Sequence, residues 1–322
     1  MKIKRSQKTL LGVGIVILAV VLFSSEAFPW GWAVHTYIDD HLGTDRKLRN
    51  INEIYGGMAP DVFNYMFNYL PFLSDQTHGN FKTDENHFMK VWDAANGEFQ
   101  KSLAFGFVSH NDLWGADFTA HHQCVTCGEN EGYILTKAAQ LKDILNTVPE
   151  FQALNLDHEL VGIIAHEFVE AGVDLLVKKR LAPTIGQKIV SSSLLRSPEF
   201  PSLLVKAYAQ DFSALTGGTL EAAKMIISAE REFRKSMIYY GTALLQDDAA
   251  ALQLISQQTA AVAEGFLEVY QVNLPEGTDI ATLIALAIGI SMDICADDFV
   301  DELKKTTGFV RQQLRIHGVT YD

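Results

Sequence analysis

From residue 30 onward apolar residues recur every three to four positions along nearly the whole chain, and no convincing run alternates apolar with polar residues as a half-buried strand does. That periodicity argues against a sheet and predicts an all-α fold. It places helices at 33–43, 50–56, 97–122, 133–147, 157–180, 200–214, 218–245, 248–272 and 279–315. Pro149, Pro183, Pro198, Pro201 and Pro275 fall between these segments or at their edges, where a residue without an N–H belongs. The stretch from Pro183 to Ser202, with three consecutive serines, is the best candidate boundary, separating 28–195 from a helical C-terminal region, 196–322. The apolar run from Ile280 to Ile290 is too short to span a bilayer and reads as a buried core helix.

The N-terminus reads as an export signal. Lys2, Lys4, Arg5 and Lys8 precede an apolar run from Leu10 to Phe23, and Ser25-Glu26-Ala27 fits cleavage after Ala27. The run is shorter than a membrane span requires, so cleavage is preferred to anchoring, and the expected location is periplasmic or secreted. Removing 1–27 takes away four basic residues and one acid, which moves the net charge from −13 to about −16. A surface that acidic repels polyanions unless bound cations invert the field, which disfavours nucleic acid held through a basic patch.

Nine of the ten histidines lie between residues 35 and 166, which assigns the chemistry to the first half. The centre of that region is AFGFVSHNDLWGADFTAHHQC, residues 104–124. Read as one helix, it places His110, Asp117 and His121 within about 40° of one another, with Asp112 turned by about 160° from His110. Imidazole, carboxylate and imidazole are side chains that zinc prefers, although the same residues also fit a helix with two core or capping histidines. Further along, HELVGIIAHEFVEAGVDLL sets His166 and Glu170 at i and i+4 on one buried face, a common ligand-pair spacing, with Glu167 on another side. Four other residues stand out more weakly: His35 after WGWAV, Asp61 after Ala-Pro, His78 in SDQTHGNF and His87 in DENHF. Of the three cysteines, Cys124 and Cys127 form a CxxC. With no strand before it and no second pair, it reads as a local disulfide or as two free thiols.

Taken together and in this order, these residues resemble the zinc-dependent phospholipase C family, which shares its all-helical fold with the single-strand-specific nucleases. The resemblance covers roughly residues 30–180 and implies a multi-helical phospholipase C/nuclease-like domain carrying additional C-terminal helices. It implies up to three zinc ions: one held by Asp61, His78, His110 and Asp117, a second by His121, His166 and Glu170, and a third by Trp30 and His35 with Asp117 bridging. Asp61 and Asp117 are the implied catalytic carboxylates, and His87 is the substitute for His78. The chain departs from the family pattern in its central spacing, which is H-x6-D-x3-H rather than H-x3-D-x5-H, so Asp112 and His122 stand as substitutes there. The family's Trp is the mature N-terminal residue, whereas cleavage after Ala27 leaves Phe28-Pro29 in front of Trp30.

The implied activity is phosphodiester hydrolysis by metal-activated water, and no GxSxG or P-loop pattern offers another route. The expected substrate is a phospholipid or another phosphodiester, with peripheral membrane contact. The aromatic stretch FNYMFNYLPFL lies between Asp61 and His78, and no Lys or Arg occurs from Ile51 to Phe81. If exposed, that stretch suits lipid head groups better than a polyanion. Two other classes stand beside this one: a nuclease-like phosphodiesterase, and a non-catalytic zinc-holding envelope protein.

Overall fold

The computed structural model describes residues 30–66, 70–124, 126–127, 131–269, 274–275 and 277–321. The expected signal segment, 1–27, lies outside them, as do Phe28 and Pro29. The described residues form an all-α fold of sixteen α-helices, with a single isolated bridge between Asn80 and Glu85 in place of any strand. The helices that build the candidate site are α1 (Trp32–Leu42), α2 (Leu48–Met58), α3 (Leu70–His78), α5 (Glu98–His110), α6 (Ala116–His121) and α9 (His158–Leu176). α4 is Met89–Ala94, α7 Tyr133–Leu145 and α8 Pro149–Gln152. The C-terminal half supplies α10 (Ile185–Leu195), α11 (Phe200–Tyr208), α12 (Ser213–Thr216), α13 (Thr219–Leu244), α14 (Asp248–Val269), α15 (Ile280–Cys295) and α16 (Phe299–Ile316).

Three expected helices are broken: 200–214 splits into α11 and α12, and in the other two a polar side chain sits at the break. The segment 97–122 stops at Asn111, whose side-chain oxygen accepts from the N–H groups of Leu113, Trp114 and Gly115 at 2.9, 2.9 and 3.2 Å. A short side chain that satisfies three backbone donors makes the turn cheaper than continuing the helix. The segment 279–315 breaks before Phe299, where the Asp298 carboxylate is drawn to Tyr133 and Lys137 of α7 at 2.6 Å each.

The stretch from Pro183 to Ser202, the candidate boundary, contains α10, packed on α13. Its serines do not seek water: Ser192 and Ser193 are buried and donate to the Ile189 carbonyl. One hydrophobic core runs from Trp30 to Val319, across the 195/196 junction. Buried polar contacts cross it too. Glu230 of α13 accepts from Arg196 Nε at 2.8 Å and from Tyr55 of α2 at 2.7 Å. The apolar helix α15 buries one face, through Ile284, Ala287, Ile288, Ser291 and Cys295, and leaves Leu286 exposed. Among the described residues, no single helix is long and apolar enough to cross a membrane.

α2 and α5 cross closely enough to exclude side chains. A Cβ on Gly56 would lie 2.1 Å from the Leu103 carbonyl oxygen, and one on Gly106 would lie 2.0 Å from that of Glu53. This crossing brings the last turn of α2 against His110, at the end of α5.

Candidate metal centre

α1 is docked from 140 residues away. The Asp174 carboxylate of α9 accepts from the N–H groups of Ala33 and Val34 at 2.9 Å each, and from the Tyr240 hydroxyl at 2.7 Å. Burial raises Asp174 to about 6, against the pull of these three donors. The free N–H groups at the start of a helix need an acceptor, so the capping carboxylate sets α1 against α9. Just before α1, Trp30 is fully buried, stacks on Tyr133 and donates its indole N–H to the Ala116 carbonyl at 2.9 Å. Its side chain is a core anchor, and its backbone carbonyl takes a hydrogen bond from His35.

His35 thereby aims its other nitrogen at Asp117. His35 Nε2 lies 3.1 Å from Asp117 Oδ1, and His110 Nε2 lies 2.7 Å from Asp117 Oδ2. The two rings are stacked at 3.9 Å. His110 Nδ1 donates to the Gly57 carbonyl at 2.7 Å, which leaves a lone pair on Nε2 facing the carboxylate. None of these close approaches has hydrogen-bond geometry: His35 Nε2, His110 Nε2 and both Asp117 oxygens are buried without a partner. Lone pairs pressed together away from water are costly, and a cation placed among them removes the cost.

Burial sets the protonation states. It holds His35, His110 and His121 below the ordinary histidine value, with His35 lowered further by His110 and His78. The same desolvation pushes Asp117 and Glu170 well above the ordinary carboxyl range. Neutral imidazoles are metal-competent, and a bound cation restores the ionised carboxylates.

Asp61 and His78 complete this side. Asp61, in the 3₁₀ segment Ala59–Tyr65, has its Oδ1 3.3 Å from His78 Nε2. Its Oδ2 accepts from the Trp32 indole at 2.7 Å, and Asn64 donates to Oδ1 at 3.2 Å. His78 and His110 meet edge to face at 4.9 Å. Two groups that could hold a metal ion therefore share His110: His35, His110 and Asp117, and Asp61, His78 and His110.

The second half of the site lies on α6 and α9. His166 Nε2 is 2.8 Å from Glu170 Oε1 across one helical turn, and the His121 ring packs 5.4 Å from that of His166. His121 Nε2 and Glu170 Oε1 are buried without a hydrogen-bond partner. Glu167 instead lines an apolar cavity with Ile164 and Phe168. A third group, Asp112 with His121 and His122, is built differently. Asp112 Oδ1 accepts from His121 Nδ1 at 3.0 Å, and Oδ2 accepts from His122 Nε2 at 2.8 Å. Burial alone would raise Asp112, but the two imidazoles outweigh it and hold the carboxyl at about 2. An open cleft runs over this half, lined by His78, Phe81, Lys82, Asp112, His121 and His122.

The structure thus gathers His35, Asp61, His78, His110 and Asp117 into one cluster. The His121 ring packs on that of His166, which meets Glu170, but these three do not converge as one of the candidate metal groups. His87 belongs to none of the three groups. His110, Asp117 and His121 do not share one helical face as the sequence reading had them. The chain turns at 111–115, which sends Asp117 to His110 and His35, and His121 to Asp112 and His166. Sequence reasoning missed Trp32, Asp174 and the partnership of Asp112 with His121. The dipeptide Asn111-Asp112 followed by Gly115 is a turn signal that foretells the break. Cys124 and Cys127 are joined as a disulfide, and Cys295 is a buried free thiol. No protein-family model, curated protein or solved structure matches the chain.

Proposed function

We propose that this chain is an exported zinc-dependent phosphodiester hydrolase of the phospholipase C type. The observation that carries the reading is a set of buried atoms without hydrogen-bond partners. They are His35 Nε2, His110 Nε2, both Asp117 oxygens, His121 Nε2 and Glu170 Oε1, delivered by four helices. A donor set of imidazole nitrogens and carboxylate oxygens without thiolate fits zinc. Grouped zinc ions supply charge neutralisation for a phosphodiester and water acidified towards a pKa of ~7. Up to three would be held: by Asp61, His78, His110 and Asp117; by His121, His166 and Glu170; and by His35 and Asp117 beside the Trp30 backbone.

The chain's own residues orient and exclude. Trp32 and Asn64 hold the Asp61 carboxylate, Gly57 turns His110, and the core that buries Asp117 keeps bulk water from it. Export accords with the disulfide, which persists in an oxidising compartment.

Phospholipid is the first substrate to test, given the acidic chain and the absence of Lys and Arg from Ile51 to Phe81. The aromatic stretch lends less support than its sequence suggests, because Phe63 and Met66 are buried, and the side chains of 67–72 lie outside the described residues. The nuclease-like reading has its own observation: Phe81, 50% exposed and stacked at 4.2 Å on His122, lines the cleft beside Lys82. An exposed ring beside a cation is what a base and its phosphate would use.

The test is metal analysis of the purified protein, then turnover of bis(p-nitrophenyl) phosphate, phosphatidylcholine vesicles and single-stranded DNA with added zinc. Expected are bound zinc, hydrolysis lost to a chelator and restored by zinc, and cleavage of the vesicles. DNA cleavage alone moves the chain to the nuclease reading. Zinc without turnover of any substrate leaves a zinc-holding protein, and a metal-free protein ends the proposal.

A further inference from the structure

Asp112 occupies the turn between α5 and α6 and touches both halves of the site. Its backbone N–H donates to the His78 carbonyl at 2.8 Å. Its two carboxylate oxygens take the N–H groups of His121 and His122. Both contacts have hydrogen-bond geometry, and neither Asp112 oxygen is among the buried atoms lacking a partner. The unpartnered atom of this trio is His121 Nε2, the ring nitrogen that Asp112 does not hold, and the His121 ring packs edge to face at 5.4 Å on His166, the partner of Glu170.

We infer that Asp112 is a positioning residue: it fixes the tautomer and orientation of His121, so that Nε2 is presented to a metal ion shared with His166 and Glu170. The trio of Asp112, His121 and His122 is then an orienting unit and not a metal site of its own. The inference rests on the metal reading proposed above, but not on its substrate. A hydrogen-bonded carboxylate behind a ligand imidazole selects which nitrogen carries the proton and raises the ligand's basicity. His122 occupies the second Asp112 oxygen and stacks on Phe81, which holds the carboxylate plane in place.

The experiment titrates the metal-free full chain with zinc and with cobalt(II) against a competing chelator. It compares wild type with Asp112→Ala, Asp112→Asn and His122→Ala, using circular dichroism to confirm folding. Asp112→Ala is expected to weaken one ion by about 10–100-fold and leave any other unchanged. Asp112→Asn, which keeps an acceptor oxygen, should recover part of that loss. The visible spectrum of the cobalt protein should change for the weakened ion. His122→Ala should keep the full number of ions. Equal affinity and spectrum in wild type and both Asp112 variants would overturn the inference, as would loss of the same ion in His122→Ala, which would make the trio itself the ligand set. A wild-type chain that binds no metal would overturn the metal reading and this inference together.

Discussion

Two trios in this molecule have the same composition, one carboxylate between two imidazoles, and opposite physics. Around Asp117, the side chains of Asp117 and His110 are 0% exposed, the contacts are short, and no hydrogen bond forms. Around Asp112, the side chains of Asp112 and His122 are 16% and 26% exposed, and both oxygens accept good hydrogen bonds. The carboxyls respond in opposite directions: Asp117 is driven up by burial, while the histidines beside Asp112 pull it down to about 2. Residue types alone therefore do not mark a metal ligand. Between these two trios, what differs is whether the carboxylate's lone pairs are already answered by protons.

The sharpest way to break this contrast is Asp117→Asn. Asp117 touches both His35 and His110, so its loss should abolish at least one ion and, with it, the proposed hydrolysis. The metal-free variant should be no less stable than metal-free wild type, because the substitution removes a buried carboxyl whose ionised form has no partner. Thermal melts with and without zinc read both effects: a shift on adding zinc in wild type, and a smaller one in the variant. A metal-free Asp117→Asn that melts far below metal-free wild type would make Asp117 a structural ion-pair member instead.

Gly57→Ala attacks the same trio from behind. A Cβ there would lie 1.6 Å from Asp39 Oδ2, and the carbonyl of Gly57 is what turns His110. The expected cost is about 2–3 kcal/mol from overpacking, read by denaturant unfolding, with weakened metal binding in whatever stays folded. A neutral result would mean that α1 and α2 separate easily.

Asp112 gives the contrast its pH signature. A carboxyl depressed from 3.8 to about 2 contributes stability above its unfolded pKa and loses it as pH falls through the folded one. Asp112→Asn should therefore cost the metal-free protein stability above about pH 4, and the gap should close between about pH 4 and pH 2. For Asp117 the sign reverses. Its raised carboxyl disfavours the folded state once pH exceeds the unfolded value, so protonation helps. Urea melts across the acid range distinguish the two carboxylates, and parallel curves for both variants would remove the distinction.

How much of this was legible in the sequence follows the range of the interactions. Helical periodicity gave nearly every long helix, and the i, i+4 spacing alone places His166 beside Glu170, because both are local. The histidine-rich centre was legible as a place but not as a geometry. Periodicity carries no sign that Asn111 answers three backbone donors, and that one turn redirects Asp112, Asp117 and His121. The same limit applies to Ser192 and Ser193: serines among prolines suggest a boundary, and only the packing of α10 on α13 shows them buried. Nothing in the sequence singles out Asp174, late in α9, and only the fold reveals that it caps the N–H groups of residues 33 and 34.

His122→Ala should have the smallest effect, and it asks whether Asp112 needs both of its donors. His122 is partly exposed; it gives Asp112 one hydrogen bond and Phe81 one stacked face. A hydrogen bond at a position that water reaches is worth about 0.5–1.5 kcal/mol net, and water can take over at Oδ2 once the ring is gone. The expected loss therefore lies at the low end of that range, well below that of Asp112→Asn, because His121 still holds Oδ1 from a site nearly closed to solvent. The double variant lacking both Asp112 and His122 should lose little more than Asp112→Asn alone, since a bond already missing one partner cannot be lost twice. Additive losses would mean that His122 stabilises the fold through Phe81 and not through the carboxylate, leaving Asp112 to orient His121 by itself.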